Sequence, residues 1–160
     1  MAEISTTQIW EQLNKQLFAV LGVVTKKNEA RTVGIVYIVE DGKLYISSKK
    51  QAWKVRHIAQ NPHVSLTVPI HKRIPFMPWI KIPSATITFS GQATLMAYSD
   101  VSAEIIRKLF QGMEFSAEEQ ADLRIIEVTP VGDFITYGVG VSMMEMRDQE
   151  KARGRVAVMG

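Results

Sequence analysis

Asp41-Gly42 separates two runs rich in β-favouring residues, RTVGIVYIVE before it and KLYISS after it. Both turn positions tolerate positive φ, so the pair specifies a tight hairpin. A hairpin makes its two strands antiparallel, which already disfavours an all-parallel sheet. The stretch Leu44 to Val68, LYISSKKQAWKVRHIAQNPHVSLTV, continues as strand, basic loop, short helix, Asn-Pro break and strand. Val55, Ile58 and Ala59 share one helical face, with Lys54 and Arg56 elsewhere. Pro62 ends that helix, because the residue before a proline avoids helical dihedrals.

The loop before the helix holds Ser47, Ser48, Lys49 and Lys50, two hydroxyls and two ammonium groups in four residues. The first amides of a helix lack partners, and its macrodipole places roughly half a positive charge there. A phosphate could take those amides, a serine hydroxyl and a lysine. A solvated basic loop is the plainer reading of these residues taken alone.

The rest of the chain supplies more strands than helices. Ser5 and Gln8 form a capping-box pattern before Ile9, Trp10, Leu13 and Leu17, which predicts a helix from Thr6 to about Gln16. Phe18 to Thr25 is a nearly continuous apolar strand, and Arg31 to Glu40 is a second strand. Gly34 interrupts the second, as a bulge or a close approach by another group. Ala85 to Ala97 reads as a long strand bent at Gly91. Ser99 can cap a helix carrying Val101, Ile105, Ile106 and Leu109, ending near Gly112, and Ser116 with Glu119 caps a single turn. Leu123 to Val128 and Phe134 to Val139 read as two strands joined through Pro130 and Gly132. From about Val141 a tail follows, first rich in methionine (Met143, Met144, Met146), then charged, with Lys151, Arg153 and Arg155 expected to be solvated.

One segment fits neither element. Pro69, Pro75, Pro78 and Pro83 fall within fifteen residues, which excludes an inner strand. Yet Ile74, Phe76, Met77, Trp79 and Ile80 are too apolar for a bare loop. They are expected to cover a partner subunit, a ligand or the end of a barrel; a membrane-surface contact flanked by Lys72, Arg73 and Lys81 ranks lower.

Six or seven strands with about three irregularly placed helices make a mostly β, antiparallel barrel with peripheral helices. The 160 residues suggest one domain, 1–160, burying roughly 70% of its unfolded surface. The absence of cysteine excludes disulfides, thiolate metal sites and cysteine catalysis. A net charge of +3 is too diffuse to imply nucleic acid, and no apolar run reaches membrane-spanning length. A cytoplasmic protein is expected. His57, His63 and His71 match no metal motif, and no nucleotide-binding or nucleophile motif is present. A phosphate cradle without catalytic side chains suits a protein whose chemistry is carried by a bound cofactor, such as a flavin.

The pattern VLGVVTK, then RTVGIVYIVEDGKLYISSKKQAWKVRHIAQNPHVSLTV, resembles the flavin-binding split-barrel family that includes pyridoxamine 5'-phosphate oxidase. TITFSGQATL resembles its long strand with a central glycine, and IIEVTPVGDFITYGVG its closing strands, so the likeness runs from about Phe18 to Gly140. The resemblance implies a six- to seven-stranded antiparallel split barrel. It also implies a homodimer with FMN at the subunit interface and a small-molecule redox substrate. By the same resemblance Ser48 grips phosphate, Lys54 is the helix lysine, and Ser47, Lys49 and Lys50 flank them. Val33, Gly34 and Ile35 fall on the strand whose backbone meets the ring, and Thr86 where the oxidase branch has a glutamine lining the flavin. Ala52 and Trp53 stand where that branch has a serine and an arginine, and no histidine follows His71, which points away from pyridoxamine-phosphate oxidation itself. Relatives using a 5-deazaflavin offer an alternative, with Lys72, Arg73 and Lys81 meeting its acidic tail. A non-catalytic flavin- or haem-binding module and an interaction protein are the other readings.

Overall fold

A computed structural model describes residues 2–80, 82 and 84–159; Lys81 and Pro83, singled out above, lie outside the described residues. The chain runs α1 (Thr6–Lys15), β1 (Phe18–Val24), β2 (Ala30–Val36), β3 (Ile38–Glu40), β4 (Lys43–Lys49), α2 (Trp53–Gln60), β5 (His63–Ile70) and β6 (Ala85–Ala97). It continues through a 3-10 turn to α3 (Ala103–Phe110), α4 (Ala117–Asp122), β7 (Leu123–Tyr137), α5 (Gln149–Ala152) and β8 (Arg153–Ala157).

The strands form one antiparallel sheet in the order β2-β1-β5-β6-β7-β4-β3, with β8 also on β7. Its two edges, β2 and β3, are consecutive in the chain and separated only by Tyr37, so the sheet curls until one bent run closes it. This is a mostly β split barrel. Leu21, Leu44, Ile46, Leu66, Ile87 and Ile126 fill its interior, to which α1 adds Ile9 and Leu13 and α2 adds Val55 and Ile58. Each such side chain contributes about 1.5–3 kcal/mol by leaving water. A second, smaller core of Tyr45, Ile125, Val101 and Phe110 lies between the sheet and α3.

Several details differ from the sequence reading. The single strand expected over Arg31 to Glu40 is divided at Tyr37. That residue's amide donates to Leu17 O at 3.1 Å, one step beyond the Phe18–Val36 pair, and its hydroxyl donates to Leu13 O at 2.7 Å, which ties the run to α1. Gly34 is no bulge, because its register with Val20 is uninterrupted; a Cβ there would stand 2.8 Å from the Phe18 ring. Nor does the irregularity in the long strand fall at Gly91. Thr88 pairs with Ile135 and Ser90 with Val131, leaving Phe89 opposite 132–134 of β7, where Gly132 has φ +74°. The helix expected after Ser99 is capped by Ser102 instead, whose Oγ accepts from the Ile105 amide at 3.4 Å.

The two strands expected around Pro130 are one, β7. Pro130 is tolerated because it falls between the β4 and β8 pairings, where β7 has a neighbour on one side only. The tail is structured: Arg153 and Arg155 lie on β8, exposed as expected but paired in register with Tyr137 and Ile135.

Candidate functional site

The barrel is split between β2 and β4. β3 pairs with β4 only from Lys43 to Tyr45, so Ile46–Lys49 have β7 on one side and no strand on the other. β2 likewise has only β1 beside it. Continuing the β3–β4 register past Ile38 and Tyr45 sets Ile35 toward Ser48 and Gly34 toward Lys49. The residues expected to meet a ring and those expected to grip a phosphate therefore line two facing free edges. Val33 and Ile35 turn their side chains into the core, so what they offer a ligand is backbone.

At the end of β4 the chain makes a short turn in which the Ala52 amide donates to Lys49 O at 3.0 Å. The Lys50 amide is anchored on Asp122 O at 2.7 Å. Helix α2 then begins at Trp53 with Ala52 as its cap, and alanine supplies no side-chain acceptor. The amides of Trp53 and Lys54 have no partner among the described residues. Ser48 is buried, and its hydroxyl reaches only its neighbour's carbonyl at 3.5 Å, the limit of a hydrogen bond. Ser47 and Lys54 are half-buried, Lys49 and Lys50 exposed, and none of the three lysines forms an ion pair with a described residue. Unpartnered amides, a weakly engaged hydroxyl and uncompensated cations fit a phosphate ester.

One further cation near this turn carries no signal in the sequence. Arg124 lies opposite Ser48 in the β4–β7 register, held by donation from its guanidinium to Ala121 O and Leu123 O at 3.1 and 2.7 Å. With Lys50 it lines a cavity of about 430 Å3. Seventy-six residues separate it from Ser48, and no local pattern marks it. Thr86 is not brought to this cluster. It pairs with Tyr137, whereas the Ser48 end of the sheet meets β6 at Ala97, eleven residues or roughly 36 Å along the strand. The three histidines are dispersed: His57 packs edge-on against Trp53, and His71 approaches Ser84 Oγ at 3.4 Å. Among the described residues no group of His, Asp or Glu is arranged to hold a metal, and no helix is long and apolar enough to cross a membrane.

The family model described as pyridoxamine 5'-phosphate oxidase matches residues 5–132, most of the chain. The chain belongs to the pyridoxamine 5'-phosphate oxidase family. No curated protein matches it. Among solved structures it is similar to a Listeria innocua protein named as a candidate pyridoxamine 5'-phosphate oxidase, with TM-score 0.61 and 19% identity over 78% of this chain and 92% of that one. An F420 reductase gives TM-score 0.56 and 18% identity over 84% and 98%. A FAD-binding protein from Mesorhizobium loti gives 0.58 and 17% over 79% and 90%. At these identities the likenesses establish the split-barrel fold of the family and nothing finer.

Proposed function

We propose that this chain is an FMN-binding oxidoreductase that works as a homodimer with the cofactor between subunits. What supports this reading is the α2 N-terminus, where the Trp53 and Lys54 amides have no partner among the described residues and follow directly on Ser48, Lys49 and Lys50 at the end of β4. Ser47 and Ser48 donate hydroxyls to the phosphate, and Lys49, Lys50 and Lys54 neutralise it, standing in for the arginine that Trp53 replaces. The free edge at Val33–Ile35 orients the ring through backbone groups. Bound FMN would supply hydride acceptance and donation. The chain's own part is to bind, orient and exclude water; Thr86, remote from the cradle in its own subunit, reaches the ring from the second copy.

The test is flavin titration of the purified protein. Lys54→Ala should weaken FMN about tenfold, the scale of one charge-assisted hydrogen bond, and leave riboflavin nearly unchanged because it lacks the phosphate. Equal losses for the two, or no FMN binding by the parent protein, would overturn the assignment. A 5-deazaflavin is the second reading, favoured by the similarity to an F420 reductase and by Arg73, exposed and without an ion pair among the described residues. Tighter binding of the deazaflavin than of FMN would select it. Bound flavin that neither nicotinamide donors nor oxygen can cycle would make the chain a binding module.

A further inference from the structure

The proline-rich segment between β5 and β6 and the methionine-rich segment after β7, far apart in sequence, meet around a cavity of about 590 Å3. Ile74, Ile80 and Ile82 come from the first, and Met143, Met144 and Met146 from the second. The wall is built, not merely collapsed. Lys72 Nζ donates to Val141 O at 2.9 Å, and Tyr137 Oη donates to Met146 O at 2.8 Å. Met146 is buried and sits on Gly138, where a Cβ would stand 2.5 Å from its Cε. The cavity falls in the size range of small-molecule sites, and thioether side chains let its walls adapt to an apolar body.

Its polar equipment is sparse. The Tyr137 hydroxyl, already donated to Met146, leaves Arg147 and Gln149. Arg147 has acidic neighbours in the chain, yet it makes no side-chain hydrogen bond or ion pair with a described residue. Glu145 instead accepts from the Ser142 amide and hydroxyl at 2.9 and 2.8 Å, and Asp148 caps α5 and pairs with Lys151 at 3.7 Å. An apolar groove with one exposed guanidinium at its rim, without an ion pair among the described residues, suits a ligand with an apolar body and one anionic end, because arginine's planar fork matches a carboxylate.

We propose that this cavity binds an amphipathic carboxylate, its apolar body between the isoleucines and methionines and its carboxylate on Arg147. Tyr137 is the register partner of Thr86, so the occupant would lie beside the strand proposed to line the flavin and is a candidate redox substrate. The binding itself does not rest on the flavin reading and is measured without added flavin.

The full chain is titrated calorimetrically with decanoate and with 1-decanol. Saturable one-to-one binding of decanoate is expected. Arg147→Gln should weaken decanoate about tenfold and change decanol less than twofold. Ile80→Glu, at an exposed position, should leave the thermal midpoint unchanged and weaken both at least tenfold. The proposal is overturned by non-saturable binding, by equal effects of Arg147→Gln on acid and alcohol, or by Ile80→Glu leaving both ligands unaffected. It also fails if saturating FMN displaces decanoate, which would make the cavity the flavin's own slot. Binding to phosphatidylglycerol vesicles without binding of free decanoate would likewise overturn it, in favour of a membrane contact. Decanoate affinity unchanged in Lys54→Ala, where FMN is weakened, would separate this site from the flavin assignment.

Discussion

Gly34, Gly91 and Gly132 all lie in strands, yet a methyl group would meet a different obstacle at each: a ring, a fixed strand, or only the backbone's own conformation. At Gly91 it would stand 2.6 Å from Val128 Cγ1 and 3.2 Å from the Thr129 carbonyl, both fixed in β7. Gly91→Ala should therefore cost about 1–3 kcal/mol, the range for overpacking, and lower the thermal midpoint by several degrees. At Gly34 the obstacle is the tip of the partly exposed Phe18 ring, which can swing aside, so Gly34→Ala should cost less. Gly132 has open space but φ +74°, and Gly132→Ala should cost about 1 kcal/mol in backbone strain. Thermal melts of the three variants check the order. The sequence shows only that a glycine interrupts a strand; what it makes room for depends on a residue tens of positions away. Tyr45 belongs to the same scale. Burial, and then Glu127 3.1 Å from its hydroxyl, push its pKa from 10.0 up to about 12. A phenol that holds its proton more tightly when folded stabilises the fold fully below pH 10, and that contribution fades between pH 10 and 12. Tyr45→Phe should flatten the fall of the thermal midpoint across that window, with Tyr37, also raised by burial, keeping its own share.

Elements whose signals are local were legible. The Asp41-Gly42 turn has φ +47° and +71°, and both capping boxes form, at Ser5 with Gln8 and at Ser116 with Glu119. The turn from Ser47 to Lys54, proposed to hold the phosphate, was legible as a shape for the same reason, since it is one contiguous stretch between a strand end and a helix start. β8 was not. RGRVA has no apolar alternation of its own, and it is a strand because the second half of β7 presents an edge for it to pair with. That pairing also fixes the N-terminus: the Ala2 amide donates to Arg153 O at 2.8 Å and Thr6 Oγ1 to Ala157 O at 2.9 Å. Removing residues 149–160 should expose the β7 edge from Asp133 to Tyr137 and loosen α1. The expected result is a lower thermal midpoint and concentration-dependent association in size-exclusion chromatography, since an uncovered edge templates pairing with other chains. An unchanged melt would make β8 peripheral to the fold.

At the scale of the whole molecule, the chain leaves apolar side chains exposed at two separate places on the sheet. Phe18 and Val36 are register partners on β1 and β2, with Val36 66% exposed, and Val131 and Ile135 lie on β7, with Ile135 44% exposed, β5 and β6 running between the two places. Apolar area of this kind on several strands suits a second copy of the chain better than water. A cofactor bound between two copies ties its affinity to dimerisation by mass action, because each stabilises the other. Ile135→Arg should therefore shift sedimentation toward monomer and weaken FMN together, and raising the protein concentration should restore both. Lys54→Ala, by contrast, should weaken FMN without changing the sedimentation of the apoprotein. If Ile135→Arg produces monomers that still bind FMN as tightly as the parent protein, the cofactor is held within one subunit. Thr86, at the far end of β6 from the cradle, then has no route to the ring.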